Sequence, residues 1–179
     1  MAAITYQIDN AHSHAQFKVR HMMIANVRGE FSKVTGSVVY DPDNPPASQI
    51  NAEIDVSTIN TREAQRDQHL KSGDFFDVAR YPSITFASKD VVAIGPDSFE
   101  VAGDLTIRGN TRQVALKVED VTPEAKDPWG NFRRGASAKT RINRKNFGLE
   151  WNMALEAGGF LVGEEVEITI DVELVRPAA

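Results

Sequence analysis

The 179-residue chain carries 25 acidic and 20 basic residues, a formal charge of −5, 41% hydrophobic residues and no cysteine. That composition is ordinary for a soluble globular protein and excludes disulfides, thiolate nucleophiles and zinc-thiolate sites. With no basic cluster to neutralise phosphates, nucleic acid is not an expected partner.

The length suits one domain over residues 1–179 with a sizeable core. The start, Met1-Ala2-Ala3-Ile4-Thr5-Tyr6, has no basic region and no long apolar stretch, so no secretory signal is expected. No window approaches the ~18 apolar residues of a spanning helix, so stable membrane insertion is not expected.

In chain order, strands are expected near 4–9, 14–20, 27–41, 49–57, 83–94, 98–107, 112–121, 131–144, 148–155 and 166–174. Alternation is the signal. In 14–20, Phe17 and Val19 alternate with Gln16, Lys18 and Arg20. In 49–57, Ile50, Ala52, Ile54 and Val56 alternate with polar residues, and Val166 to Leu174 repeats the pattern most cleanly. One buried and one wet face is the habit of antiparallel sheets. Turn signals at Asp43-Asn44-Pro45-Pro46, Gly95-Pro96-Asp97, Gly109-Asn110 and Asp127-Pro128-Trp129-Gly130 separate the runs, and many strands with short turns indicate an all-β barrel or sandwich.

One short helix is expected over about 61–72. Asn60 and Glu63 read as a capping box, Asp67 and Lys71 as an i,i+4 pair, and Gly73 as a left-handed terminator. The helix offers few apolar residues, chiefly Ala64 and Leu70, so it should lie over an opening rather than inside. After it come Phe75 and Phe76, then Tyr81-Pro82 and a strand. The helix should therefore cover one end of the β-structure while the two rings point into it.

Chemistry-bearing motifs are weak. On a continuous strand His12 and His14 would share the wet face, and His21 the face of Phe17 and Val19. Three ligands cannot converge from opposite faces of one strand, so no metal site is expected, and histidines hydrogen-bonded at a barrel mouth are the commoner outcome. Ser13 lacks a Gly-x-Ser-x-Gly elbow, and no phosphate-binding Gly-rich motif is present. No carboxylate pair stands out as acid and base. Arg133-Arg134 reads as a solvated turn. The aromatic residues either fill the core or line a cavity, and periodicity alone does not separate the two, because a barrel of about eight strands permits either.

Asp9-x-x-His12-Ser13, Phe17-x-x-x-His21 and Val27-x-Gly29-x-Phe31 are followed by Arg66-Asp67-x-His69-Leu70-Lys71-Ser72, Asp74-Phe75-Phe76-Asp77 and Tyr81-Pro82-x-Ile84-x-Phe86. Further on stand Gly103-Asp104-Leu105-Thr106-Ile107-x-Gly109-x-Thr111, Asp127-Pro128-Trp129-Gly130 and Asn143-Arg144-x-x-Phe147-Gly148. In this order and spacing the chain resembles the YceI-like, polyisoprenoid-binding family over nearly its whole length. His14 and Arg134 lie outside the matching motifs.

The resemblance implies an eight-stranded antiparallel, lipocalin-like β-barrel with the short helix near one end. It implies a binding protein rather than an enzyme, without cofactor or metal, that sequesters or carries a polyprenyl quinone, alcohol or phosphate, commonly as a homodimer. The location is cytoplasmic for the chain as it stands, and periplasmic if a leader has been cleaved from it. On this reading Phe17, Val19, Phe31, Ile54, Phe86 and Trp151 contact the tail. Phe75 and Phe76 narrow the helix end, while His21, Arg66 and His69 are candidates for the head group. The rival classes are a metal-assisted or lipid-tailoring enzyme using the mouth histidines, and a structural or interaction protein with a filled core.

Overall fold

A computed structural model describes residues 3–156 and 159–178. The strands are β1 (Ile4–Ile8), β2 (His14–His21), β3 (Ala25–Phe31), β4 (Val34–Tyr40), β5 (Gln49–Asp55) and β6 (Ile59–Asn60). After helix α1 (Ala64–Lys71) follow β7 (Ser83–Gly95), β8 (Ser98–Ile107), β9 (Asn110–Glu119), β10 (Ala125–Lys126), β11 (Phe132–Asn143) and β12 (Val162–Arg176). Among the described residues no helix is long and apolar enough to cross a membrane.

All pairings are antiparallel, and they close on themselves. β1 and β2 form one bent strand interrupted by the 3-10 turn Asn10–His12, and Val56–Thr58 likewise separates β5 from β6. β3 bends into β4 at Ser32 and Lys33. With each bent pair taken as one strand and the two-residue β10 set apart as an appendage of β11, the result is a closed eight-stranded antiparallel barrel, lipocalin-like in form. The seam is the long register of β11 on β12, from Phe132↔Arg176 to Asn143↔Glu165. Closure leaves no long exposed edge for another chain to pair with.

Alternation sets which side chains enter the barrel. From β12, Val166, Ile168, Ile170, Val172 and Leu174 face the interior. Outward-facing Glu167 pairs with Lys18 and Arg141 of the neighbouring strands at 2.5 and 2.6 Å. Two inward glycines make room for rings across the ladder. Gly29 is the register partner of Phe17, and Gly103 lies against Phe86.

Several expectations change. The run 27–41 is two strands, β3 and β4, because the chain bends between them. No strand forms over 148–155. Gly148 turns left-handed (φ 77°), and Asn152 satisfies the backbone of Val162 instead of a ladder doing so. The helix is shorter than 61–72, and Glu63 alone is its cap, accepting from the Gln65 and Arg66 amides. Asn60 instead accepts from the Arg62 amide. Asp67 is not turned to Lys71 but accepts from the amide and hydroxyl of Thr61 at 2.9 and 2.5 Å. Gly73 is not a left-handed terminator. Ser72 ends the helix by donating its hydroxyl to the His69 carbonyl, and the amides of Phe75 to Val78 fold back onto Leu70, Lys71 and Ser72.

The helix, the hairpin tip Met22–Ile24 and the described residues of 144–156 and 159–161 gather at one end of the barrel. The opposite end carries Tyr40, the 95–98 turn, β10 and the carboxyl end of β12.

Candidate ligand cavity

Because the inward positions hold branched, small and aromatic residues without filling the space, an apolar cavity of about 530 Å³ runs along the barrel. That volume lies within the range of small-molecule sites. It is lined by Phe17, Val19, Phe31, Ile54 and Phe86 on the wall, and by His21, Arg66, His69, Phe75, Phe76 and Trp151 at the helix end. All the candidates named from the sequence therefore face one space.

The helix end is built by aromatic contact. The His69 ring meets Trp151 edge-on at 4.6 Å and Phe75 at 5.1 Å, and Phe75 lies 5.5 Å from Trp151. Phe76 stands edge-on to Phe31 at 5.9 Å, which in turn lies 5.6 Å from Phe17. Such pairs hold ring orientations beyond what burial alone does. Two of the polar tips at this end have partners. Arg66 donates through Nε to the Thr61 hydroxyl at 2.8 Å and through a terminal nitrogen to the Thr61 carbonyl at 2.7 Å. His69 Nε2 lies 2.8 Å from the Asp74 carboxylate.

Trp151 is held in place by Arg144. This guanidinium is 3% exposed and donates to the carbonyls of Leu149, Trp151, Gly163 and Val162 at 2.6, 2.9, 2.7 and 3.3 Å. Burial pulls its pKa below the usual arginine value, with Glu164 opposing. Four carbonyl acceptors satisfy a charge that would otherwise be costly to desolvate. Around this end Met22, Met23, Ile24, Met153 and Phe160 are exposed and form an apolar rim.

Arg134 was absent from the sequence-derived set. Arg133-Arg134 is not a solvated turn but part of β11, and the two side chains leave on opposite faces. Arg133 pairs outside with Asp9, Asp127 and Glu173 at 2.7–2.8 Å. Arg134 lines the cavity at the end opposite the helix, its guanidinium 5.1 Å from the Tyr40 ring. The register held the clue, since Ala136, Ala138 and Ile142 alternate on the same face.

Asp9, His12 and Glu173 bring three possible ligand atoms within 4.8 Å of one another. Arg133 Nη1 donates to both carboxylates, so a guanidinium stands where a cation would. His12 lies in a 3-10 turn rather than on a strand, and Asp9 raises its pKa first by hydrogen bonding. His14 is 3.5 Å from Asp171.

A closed antiparallel barrel around an apolar cavity, capped at one end by a short helix, defines a lipocalin-like architecture. The chain belongs to the YceI-like domain family, whose model matches residues 6–174. It is 37% identical over 150 residues to a UPF0312 protein of Vibrio cholerae, covering 83% of this chain and 79% of that protein. Among solved structures, Burkholderia cenocepacia BcnA superposes with a TM-score of 0.79 at 23% identity, covering 93% of this chain and 98% of that one. A polyisoprenoid binding domain from Saccharophagus degradans superposes at 0.70 with 16% identity, covering 96% and 98%.

Proposed function

We propose that the barrel binds a polyisoprenoid lipid, such as a polyprenyl quinone, alcohol or phosphate, and sequesters or carries it. The observation that carries this reading is the apolar cavity, walled by Phe17, Phe31 and Phe86 and capped by Phe75, Phe76 and Trp151. Family membership and the likeness to a polyisoprenoid binding domain support it. Among the described residues the cavity wall is made mainly of aliphatic and aromatic side chains, a lining suited to holding a lipid tail.

The energetics suffice. Each methylene withdrawn from water contributes ~0.8 kcal/mol, so ten contribute ~8 kcal/mol before the cost of association, on the scale of micromolar affinity. Affinity then follows tail length more than head-group chemistry. Phe76 and Phe75 narrow the passage at the helix end, and the rim of Met22, Met23 and Ile24 offers an apolar approach to it.

The test uses Trp151 as reporter. In a Trp129→Phe background, which removes the exposed second tryptophan, titration with geranylgeraniol should change Trp151 emission saturably. A flat titration, together with no protection of the cavity in hydrogen exchange, would refute lipid binding.

A further inference from the structure

At the end opposite the helix the cavity meets a guanidinium, that of Arg134. Along β11 the inward positions are Ile142, Thr140, Ala138, Ala136 and then Arg134. Placing a guanidinium there costs desolvation unless something compensates it. Its Nε donates to the Tyr6 hydroxyl at 2.9 Å and Nη1 to the Thr122 carbonyl at 3.0 Å. The rings of Tyr40 and Tyr6 stand 5.1 and 5.9 Å from it, which fixes the group in position.

Its charge has no direct ion pair, and it reaches the nearest carboxylate, Glu124, only through the Tyr6 hydroxyl. Among the described residues no carboxylate oxygen lies within 4.0 Å of an Arg134 nitrogen, whereas Arg133 beside it contacts three carboxylates. The nearby carboxylate, Glu124, is held by two hydrogen bonds from Arg176, at 2.8 and 2.6 Å, and one from Tyr6. Two guanidiniums thus share one carboxylate at this end. The second terminal nitrogen of Arg134 makes no hydrogen bond among the described residues. At the helix end Arg66 is likewise bonded only to Thr61, and His69 lies 2.8 Å from Asp74; the two tyrosine rings beside its guanidinium set Arg134 apart.

We infer that Arg134 receives the anionic end group of the bound lipid, so that the ligand lies with its phosphate or carboxylate at the far end and its tail toward the helix. This rests on the lipid-binding reading above and adds the direction of the ligand and a preference for acidic termini. Guanidinium recognises such oxygens through paired donors, and Tyr40 is the adjacent ring. A tail too long for the cavity would leave past Phe76 and Trp151, over the rim of Met22, Met23 and Ile24.

The test compares geranylgeranyl monophosphate with geranylgeraniol on wild type, R134M and, as a control on the outer face of β11, K139M. Wild type and K139M should bind the phosphate about tenfold to a hundredfold more tightly than the alcohol, the range for hydrogen bonds to a charged group. R134M should erase that ratio, and R134K should keep part of it. If R134M does not fold, as judged by thermal melting, R134Q carries the same comparison. A ratio near one in wild type, or one that survives R134M, overturns the inference while leaving lipid binding intact. If neither ligand binds wild type, the lipid-binding reading falls and this inference with it. Inorganic phosphate alone should not shift the melting temperature. A shift that R134M abolishes would mean a tail-independent anion site and would overturn the proposed lipid orientation.

Discussion

The tip of the Phe17 ring occupies the space in which a side chain at Gly29 would begin: a Cβ there would lie 2.3 Å from Phe17 Cζ. The two residues face each other in the β2–β3 register. The missing side chain lets the ring lie along the barrel wall rather than across the cavity. Gly103 and Phe86 repeat the device on the β7–β8 side, where a Cβ would stand 2.6 Å from Phe86 Cζ.

Substituting Gly29→Ala should therefore destabilise the protein by about 1–3 kcal/mol through overpacking. Phe17→Ala on the same background should recover part of that loss, because the clash disappears with the ring. Urea denaturation of the two single variants and the double variant measures the coupling. Strict additivity would mean that the ring and the glycine do not share the space.

Arg144→Lys should cost at least about 3 kcal/mol despite conserving charge, since an ammonium cannot reproduce a planar fork that reaches four carbonyls. The damage should be concentrated in segment 149–163. Hydrogen exchange should show that segment losing protection before the β7–β8 ladder does. Uniform loss across the barrel would contradict a local clasp.

Much of the wall was legible because period-2 alternation survives along β5 and β12, where Ile50, Ala52 and Ile54, and Val166, Ile168, Ile170, Val172 and Leu174, enter the barrel. The same rule failed at 148–155, where Arg144 and Asn152 satisfy backbone groups that a ladder would otherwise take. Arg134 was hidden by its neighbour. Read locally, two arginines form a basic spot, and only the register of β11 separates an outward Arg133 from an inward Arg134. The cap at Glu63 depends on the left-handed turn at Arg62 (φ 67°), which composition does not signal.

Stability toward acid should depend on Glu124. Hydrogen bonds from Arg176, then from Tyr6, hold its carboxyl at about 2, below the ordinary 4.5. A folded-state value below the unfolded one stabilises fully above the unfolded pKa and is lost as pH falls through the folded one. Wild type should thus lose stability between about pH 4.5 and pH 2. E124Q should be less stable at neutral pH and show a shallower acid limb. The limb will not vanish, because Arg133 also holds the Asp127 carboxyl below its ordinary value. Urea midpoints from pH 7 downward test this, and parallel acid limbs for both proteins would contradict it.

Cavity volume limits tail length. At ~30 Å³ per methylene-sized group, about the volume of a water molecule in the liquid, 530 Å³ holds ~18 carbons, or three to four isoprene units. Affinity for a series of polyprenyl alcohols should climb to about that length and then flatten. A rise that continues undiminished to twice that length would mean that the barrel is not the compartment that encloses the tail.

The most direct measurement is mild organic extraction of the purified protein followed by mass spectrometry of the extract, with a denatured-protein control and a parallel uptake assay with added polyprenyl quinone or alcohol. Lipid binding predicts a co-purifying isoprenoid series near one per chain, or stoichiometric uptake by protein that purifies empty. An empty extract combined with no uptake would contradict it and leave the barrel as a structural scaffold with an unfilled core.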